Sequence, residues 1–166
     1  FETPQFDDVE AGSIQEKTFK SPLVTTSASR SDEWRLAEIP AANGHGNARS
    51  VVKAQTPLAN RGSGFGVDLL SADGAARIFD EQSNGDDLVL GIPVRFGMGY
   101  GLNDSGGGLG PNTRVAYWGG WGGSLVVLDQ DSRLCMSYVM NKMNSDTTLG
   151  DLRGIKLVPA AYSCVK

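Results

Sequence analysis

The clearest pattern of apolar and polar positions lies in the stretch Arg114–Met143 and predicts three β-strands. The first predicted strand begins at Val115, the second spans Ser124–Leu128 and the third spans Leu134–Met140. The polar turn Asp129–Ser132 joins the last two strands and predicts an antiparallel hairpin. Both hairpin strands are almost continuously apolar, so we expect both faces of the sheet to be covered.

Two earlier segments have the apolar spacing of helices. The first spans Ala48–Leu58 and is expected to end near Pro57 or Asn60. The second spans Leu69–Gln82 and has Ser71 as a candidate N-cap. Four apolar residues would lie on one face of the second helix: Leu70, Ala75, Ile78 and Phe79.

A third helix is predicted at the end of the chain, over Leu149–Val165. Pro159 is expected to kink or interrupt it, because proline lacks an N–H group and clashes with the preceding turn. Four of its residues are expected to face mostly inward: Leu152, Ile155, Leu157 and Val158.

The remaining sequence shows no sustained period. Residues 1–30 are polar and are interpreted as an irregular surface segment. A glycine-rich passage follows the second helix. It is expected to hold short extended pieces joined by loops, over Leu88–Ile92, Arg95–Tyr100 and Asp104–Pro111.

Composition excludes several classes of function. The 166 residues include 15 Lys and Arg against 19 Asp and Glu, a net charge of −4. Nucleic-acid binding is not expected, because nothing here would neutralise a phosphate backbone. No apolar run reaches the roughly 18 residues of a membrane span. Cysteine usage favours the cytoplasm, with secretion after removal of a signal as the alternative. The 22 glycines, about twice the usual share of roughly 7%, indicate many turns and close backbone approaches.

Groups able to perform acid–base or metal chemistry are few. His45 is the only histidine; it lies between glycines, and no Gly-x-Ser-x-Gly elbow accompanies it, so it is not a convincing catalytic base. Cys135 and Cys164 match no zinc or redox spacing and are expected to be free, buried thiols. Neither a metal site nor a cofactor is predicted.

Two further patterns are interpreted as coincidental. Ser50–Lys53 is formally a Ser-x-x-Lys, in which a lysine one helical turn away can take the proton of the serine. Such short patterns often arise by chance, and Ser50 would fall in mid-helix. Gly97–Gly101 and Gly106–Gly110 could cradle a phosphate, but neither lies between a strand and a helix or precedes Lys-Ser/Thr.

The segment Tyr117–Ser124 differs from these. It reads Tyr-Trp-Gly-Gly-Trp-Gly-Gly-Ser, so two glycine pairs flank Trp121 at the end of a strand. Glycine weakens a strand, and its presence there indicates close approach of another group to the backbone. The alternative is a bend or bulge at the sheet edge with packed tryptophans.

The segment Tyr117–Ser124 is part of a longer stretch that resembles a known family. The sequence VAYWGGWGGSLVVLDQDSRLCMSYVMNKM, over Val115–Met143, resembles the carboxy-terminal motif region of the serine β-lactamase-like superfamily. That superfamily contains class C β-lactamases, D,D-peptidases, family VIII carboxylesterases and fungal acyltransferases. Ile39–Arg49 is similar to the turn into a helix that precedes this motif in the family. Together with Leu69–Ser71 and Leu88–Gly91, the resemblance covers about residues 35–165.

The resemblance implies an α+β fold of the β-lactamase and D,D-peptidase type, with an antiparallel sheet flanked by helices. This chain would supply the carboxy-terminal strands, the terminal helix and part of the helical domain. The division that follows is an irregular segment at 1–35, a helical-domain portion at 36–85, and the sheet strands with the motif and terminal helix at 86–166.

The resemblance also implies that the chain is the carboxy-terminal fragment of a serine hydrolase, a carboxylesterase, or of an acyltransferase. In the family, Ser-x-x-Lys carries the nucleophile near the amino terminus and Tyr-x-Asn follows. This chain has no Tyr-x-Asn, and Ser50 is out of family order. An acyl-enzyme would therefore form on a serine outside the chain, in an amino-terminal piece acting as its partner, with a small ester or acyl substrate. The isolated chain would be inactive, and unstable or insoluble. The alternative is a non-catalytic binding or scaffold module of the same fold.

Site residues follow from the third family motif, which maps onto Trp118, Gly119 and Gly120. β-Lactamases have Lys-Thr-Gly there and hold the substrate carboxylate with it. Trp and Gly provide neither a cation nor a hydroxyl, which favours uncharged ester or acyl substrates. The backbone N–H of Trp121 would contribute to the oxyanion hole. Trp118 would form a hydrophobic wall, and Tyr117, Gly119 and Gly120 are grouped with it as substrate-binding residues.

Overall fold

A computed structural model describes residues 9–104, 108–144 and 150–165. Within these ranges, no helix has the length and apolar character needed to cross a membrane. The helices are α1 (Ile14–Lys20), α2 (Asp32–Leu36), α3 (Ala48–Ala59), α4 (Ala72–Ala76), α5 (Leu152–Ile155) and α6 (Leu157–Ser163). The strands are β1 (Ser63–Gly64), β2 (Val67–Asp68), β3 (Ser83–Asp86), β4 (Pro93–Phe96), β5 (Gly101–Leu102), β6 (Val115–Gly119), β7 (Leu125–Asp129) and β8 (Leu134–Tyr138).

The main sheet has six strands in the order β3-β4-β5-β6-β7-β8, and every neighbouring pair is antiparallel. The three strands predicted between residues 114 and 143 are β6, β7 and β8, and the hairpin between β7 and β8 is confirmed. Strands β1 and β2 form a separate two-stranded sheet. The fold is therefore built from consecutive hairpins, in which sequence neighbours are also neighbours in space.

Helices cover both faces of the sheet, as its continuous apolar strands predict. Helix α3 packs on one face against β7 and β8, where Leu128 joins a cluster with Ala59 and Ala116. On the other face Val127 packs with Val158 of α6. Val127 and Leu128 are adjacent in sequence and point to opposite faces, and both are fully buried. The sheet is thus the middle layer of three.

The turn after β7 is fixed by a buried carboxylate. Asp129, with no exposed surface, accepts hydrogen bonds at 2.8 Å from Asn112 Nδ2 and from the Tyr162 hydroxyl. It also accepts from the backbone N–H groups of Asp131 and Ser132 at 2.8 and 2.9 Å. Four donors satisfy the buried carboxylate, and the network links the hairpin turn to α6.

Helices occur where the sequence was interpreted as irregular. Helix α1 begins after Ser13, whose Oγ accepts from the N–H of Glu16 at 3.0 Å, while Glu16 accepts from Gly12. Helix α2 begins after Ser31, whose Oγ accepts from Trp34 N–H at 3.1 Å. The prediction of an irregular segment over residues 1–30 is therefore wrong for α1, because serine caps start helices too short to show a period.

The second predicted helix is shorter than expected. Its N-cap is confirmed, since Ser71 Oγ accepts from the N–H of Gly74 at 3.0 Å. The helix ends after five residues and continues as a single 3₁₀ turn over Arg77–Phe79. Asp80 is already extended, because the chain must enter β3 three residues later.

The apolar run Leu88–Ile92 is a turn and not the predicted extended piece. Asp87 Oδ1 accepts from the N–H groups of Val89 and Leu90 at 2.9 and 2.7 Å, and Gly91 adopts φ +68°. An Asx turn of this kind competes with strand formation whatever the hydrophobicity of the residues that it contains. The run therefore connects β3 to β4.

The terminal helix is divided in two, and the break falls at Lys156. Pro159 lies in the first turn of α6, where a missing N–H costs little. Leu152 and Leu157 are 66% and 49% exposed, so the expectation that they face inward is wrong. Ile155 and Val158 do pack against the sheet. The predicted start at Leu149 lies outside the described residues, as do positions 105–107 of the predicted Asp104–Pro111 piece.

Candidate active site

The loop between β6 and β7 is a tight turn with Trp121 near its tip. Gly120 N–H donates to Ser124 O at 2.8 Å, and Gly123 N–H donates to Gly120 O at 3.0 Å. Gly122 and Gly123 adopt φ values of +85° and +115°. The second hydrogen bond and the positive φ of Gly122 make residues 120–123 a type II turn, in which Trp121 is the first central residue.

The far side of this loop rests on an ion pair between the buried carboxylate of Asp151 and the partly exposed Arg153. A Cβ atom on Gly123 would lie 2.6 Å from Cβ of Asp151, which is 1% exposed. Asp151 accepts from the Nε of Arg153 at 2.6 Å, and Arg153 also donates to the carbonyl of Lys142 at 3.0 Å. The hydrogen bond from Arg153 holds the pKa of Asp151 below its usual value. A residue larger than glycine at position 123 would clash with Asp151.

The backbone N–H of Trp121 has no acceptor among the described residues. In the same loop Gly120 and Gly123 both donate internally, while the N–H of Gly122, like that of Trp121, has no acceptor among the described residues. The indole Nε1 of Trp121 is buried and also lacks a partner in the described part of the chain. A backbone donor free of internal partners, in a loop held from both sides, can stabilise an oxygen that becomes negatively charged.

Two cavities meet at Trp121. The first, which we call the apolar groove, has a volume of about 380 Å³. The second, which we call the polar cavity, has a volume of about 570 Å³. The apolar groove is lined by Thr18, Phe19, Pro22, Val24, Ala41, Val89, Leu90, Trp118 and Trp121. Residues of the polar cavity include Thr25, Thr26, Ser29, His45, Gly120, Trp121, Ser124 and Met143.

Neither cavity offers a fixed charge. The described residues that line them include no Lys, Arg, Asp or Glu. His45 Nδ1 lies 2.8 Å from the carbonyl oxygen of Asn43, and its Nε2 lies 3.1 Å from that of Ser29. The imidazole thus links two backbone segments, in keeping with the interpretation that it is not a catalytic base. A negatively charged substrate would find no counter-ion on these walls.

The structure brings Trp118 and Trp121 together on the apolar groove and places Gly120 on the polar cavity. The Trp118 ring also packs against Phe96, with 5.3 Å between ring centroids. Gly119, between them, is buried at the end of β6. Trp118, Gly120 and Trp121 therefore line the two cavities, while Gly119 lines neither.

Tyr117 is separated from these residues. Side chains alternate along a strand, so Tyr117 lies on the opposite face of β6 from Trp118, packed with Val115 and Val158. Burial raises the pKa of its hydroxyl. It lines neither cavity, and its predicted contact with substrate forms no part of the proposed site.

The hydroxyl of Ser50 is engaged in hydrogen bonds at the start of a helix. Its Oγ accepts from the N–H of Asn47 at 2.9 Å and donates to the Asn47 carbonyl at 2.8 Å, while its own N–H donates to Asn47 Oδ1. This is a capping arrangement in the first turn of α3, and not the mid-helix position expected from the sequence. Lys53 Nζ lies 5.6 Å from the centre of the Phe65 ring. Ser50 therefore helps to cap α3, and Lys53 makes a contact with Phe65.

Sequence reasoning missed the walls of the apolar groove. Phe19 and Val24 come from the segment interpreted as irregular, and Val89 and Leu90 come from the turn predicted to be extended. A signal was present for α1, since Ser13 to Glu16 has the Ser-x-x-Glu spacing of a capping box. No signal in the sequence indicated that α1 would lie close to the β3–β4 turn.

The titratable groups away from the loop show no metal-binding arrangement. The described residues contain no cluster of three or more His, Cys, Asp or Glu side chains placed to hold a metal. Cys135 and Cys164 are free, but only Cys135 is largely covered; Cys164 is exposed, which corrects the expectation of two buried thiols. Burial raises the pKa of the Cys135 thiol to about 11.

Comparison with known proteins places this geometry in a family. A search of curated proteins gave no match. A crystal structure of a family VIII carboxylesterase is similar, with 38% identity and a TM-score of 0.83 over 91% of this chain and 40% of that protein. A penicillin-binding protein homologue from Caulobacter crescentus is 32% identical, with a TM-score of 0.81 over 98% of this chain and 42% of that protein.

The chain thus spans about two fifths of the length of these two proteins. The model of the Beta-lactamase family matches residues 2–159. The resemblance drawn from the motif and the α+β fold that it implies are confirmed. The chain belongs to the Beta-lactamase family, whose members include serine hydrolases.

Proposed function

We propose that this chain provides the carboxy-terminal side of the active site of a serine carboxylesterase or acyltransferase. The acyl-enzyme forms on the serine of a Ser-x-x-Lys outside residues 1–166. The observation that carries the proposal is the backbone N–H of Trp121. It has no acceptor among the described residues and lies in a rigid turn where two uncharged cavities meet.

In the proposed reaction the serine Oγ attacks the ester carbonyl carbon and the lysine takes its proton. The carbonyl oxygen becomes an oxyanion, which accepts from Trp121 N–H and from the serine's own N–H. Collapse of this intermediate breaks the bond to the alcohol, which leaves with the proton. Water in a hydrolase, or a second alcohol in an acyltransferase, then attacks the acyl carbonyl carbon. The bond to the serine Oγ breaks, and the proton lost by the attacking oxygen returns to the serine. Loss of one oxyanion donor typically costs about 10²–10³ in rate.

The charges of the site favour an uncharged ester. The described walls of both cavities lack Lys and Arg, and the motif strand presents Trp118 and Gly119 where other family members have a cation and a hydroxyl. Burial of an unpaired carboxylate would be unfavourable there. The 38% identity to a family VIII carboxylesterase supports the same choice.

Two observations support a nucleophile from a further segment of the protein. Two serines in this chain begin a Ser-x-x-Lys, Ser50 and Ser163. The hydroxyl of Ser50 is engaged with Asn47, and that of Ser163 donates to the carbonyl of Ala160 at 2.7 Å. Strand β8 is an outer strand of the described sheet, so one of its edges is open to pairing with another strand. An amino-terminal segment that pairs with β8 would extend the sheet by a further strand.

Active-site labelling tests the location of the nucleophile. The full-length protein containing this chain is treated with a fluorophosphonate, digested, and mapped by mass spectrometry. We expect one modified serine, in a Ser-x-x-Lys outside residues 1–166, and no label after that serine is changed to alanine. Label on Ser50 would contradict the proposal. Absence of labelling, together with absence of ester hydrolysis, would favour the binding or scaffold alternative.

A pair of substitutions tests the oxyanion role of Trp121. Trp121→Pro removes the backbone N–H, and proline is favoured at the first central position of a type II turn. Trp121→Ala removes the ring and keeps the N–H. We expect kcat/KM of Trp121→Pro to fall about 10²–10³ below that of Trp121→Ala. Equal rates in the two variants, with equal thermal stability, would exclude the N–H as an oxyanion donor.

A further inference from the structure

The position of Trp121 relates the reacting carbonyl to the two cavities. Trp121 lines both the apolar groove and the polar cavity. If its N–H holds the carbonyl oxygen, as the proposed function requires, the carbonyl carbon lies at the boundary between them. The acyl chain and the alcohol leave that carbon in different directions, so each of the two cavities receives one of them.

The linings of the two cavities differ in chemistry. Eight of the nine residues that line the apolar groove are apolar or aromatic, and the exception is Thr18. Five of the sixteen described residues that line the polar cavity carry polar side chains, namely Thr25, Thr26, Ser29, His45 and Ser124, and the rest are apolar residues or glycines. Burial of each methylene of an aliphatic chain contributes about 0.8 kcal/mol to binding. The contribution is largest where no polar group of the protein is dehydrated at the same time. The apolar groove is therefore the better site for an aliphatic acyl chain.

The groove is held open by its own hydrogen bonds. Gln15 Nε2 of α1 donates to the carbonyl of Val89 at 2.8 Å, which joins one wall to the other. Val89 and Leu90 are fixed by the Asx turn of Asp87. The walls are thus pre-formed, and a chain entering from Trp121 runs between α1 and the β3–β4 turn. Such a groove fixes the course of the chain, because its side walls are joined.

We propose that the substrate is an ester of an aliphatic carboxylic acid, whose acyl chain lies in the apolar groove between α1 and the β3–β4 turn. Its alcohol lies on the side of the polar cavity. Thr18 of α1 and Leu90 of the β3–β4 turn line the groove on these two elements. This inference rests on the proposed function and adds to it the substrate class and the orientation of the substrate.

A matched pair of substitutions tests the orientation. Thr18→Trp fills the apolar groove and Thr25→Trp fills the polar cavity, and both threonines are exposed. The readout is the ratio of kcat/KM for p-nitrophenyl octanoate to that for p-nitrophenyl acetate, measured with the full-length protein. The p-nitrophenol group is common to both esters, so a change confined to the alcohol side leaves the ratio constant.

We expect Thr18→Trp to lower the ratio at least about tenfold, since a single methylene is worth roughly 10–200-fold in a hydrophobic pocket. Hydrolysis of the acetate should fall less than that of the octanoate, and Thr25→Trp should leave the ratio unchanged. A ratio lowered by Thr25→Trp and not by Thr18→Trp would overturn the orientation.

The remaining outcomes separate this inference from the proposed function. If the protein hydrolyses both esters and Thr18→Trp changes neither rate, the groove does not bind the acyl chain. If Thr18→Trp reduces both rates equally, another segment of the protein occupies the groove; both results overturn the inference and leave the proposed function intact. If the unmodified protein hydrolyses neither ester and no serine is labelled, the proposed function itself fails.

Discussion

Tyr162→Phe removes a single hydroxyl from the buried network that links α6 to the sheet. That hydroxyl donates to Asp129 Oδ2 at 2.8 Å, and the carboxylate is fully buried. The ring of Tyr162 packs in the cluster around Val115 and Val158, and phenylalanine would preserve those contacts. The substitution therefore isolates one hydrogen bond to a buried charge.

The size of the effect follows from the remaining partners of Asp129. A hydrogen bond to a charged group contributes about 1.5–3 kcal/mol to stability. In the variant, Asp129 keeps Asn112 and the two backbone N–H groups of the turn. The lower part of the range applies because the charge stays largely satisfied. We expect the free energy of unfolding at pH 7 to fall by about 1.5–2 kcal/mol.

The same contact predicts a pH dependence. Burial, followed by the hydrogen bond to Asp129, raises the pKa of Tyr162 above its ordinary value of 10.0. An unfolded tyrosine ionises near that value while the folded one keeps its proton, so stability is complete below pH 10 and falls as pH rises above it. Tyr162→Phe lacks this titration. Its free energy of unfolding should therefore fall less between pH 9 and 11 than that of the original protein.

Urea unfolding of the full-length protein measures both effects, with Tyr138→Phe as a matched control. Tyr138 packs in the same cluster, and its hydroxyl has no hydrogen-bond partner among the described residues. We expect the control to lie within about 0.5 kcal/mol of the original. Equal losses in the two variants, or a loss below about 0.5 kcal/mol for Tyr162→Phe, would refute the assignment of stability to this hydrogen bond.

Three further predictions concern the loop and the cysteines. Gly123→Ala should lower stability by about 1–3 kcal/mol through its positive φ, with a further loss from the close contact with Asp151, and should reduce ester hydrolysis. Gly44→Ala, which meets open space on the polar cavity, is its control, and equal thermal unfolding of the two variants would contradict the contact. The pKa of Asp151 is lowered from 3.8, so its contribution is present above pH 4 and is lost as pH falls below it. Asp151→Asn should therefore flatten the acid limb of a stability–pH curve, and an unchanged limb would exclude this role. A disulfide reagent at pH 8 should modify Cys164 quickly, and should modify Cys135, whose pKa is about 11, only after denaturation; rapid reaction of both thiols in the native protein would show that Cys135 is accessible.

The central part of the fold could be predicted from the sequence because its contacts are local. Strands β7 and β8 are joined by a four-residue turn and have apolar faces on both sides, so pattern and pairing agree. Helix α3 has a recognisable N-cap at Asn47. The Gly-rich loop was recognised because paired glycines weaken the end of a strand and indicate that another group approaches the backbone there.

Elements defined by capping hydrogen bonds were harder to predict. Helix α1 has seven residues, too few to show a period, and the Asx turn at Asp87 overrides the apolar character of Leu88–Ile92. The separation of Tyr117 from Trp118 needed no structure, because side chains alternate along a strand. Their assignment to a single binding surface neglected that alternation.

The two parts of the proposed site are encoded differently. The turn that presents Trp121 N–H depends on hydrogen bonds between residues at most four positions apart. The glycines that it requires are therefore visible in the sequence as a motif. The apolar groove depends on contacts such as Gln15 to Val89, which are 74 residues apart, and no local pattern reports them. A change at Thr18 or Leu90 alters the groove and leaves every hydrogen bond of the loop in place. Under the proposed function, the reaction and the choice of acyl chain can therefore be changed separately in this protein.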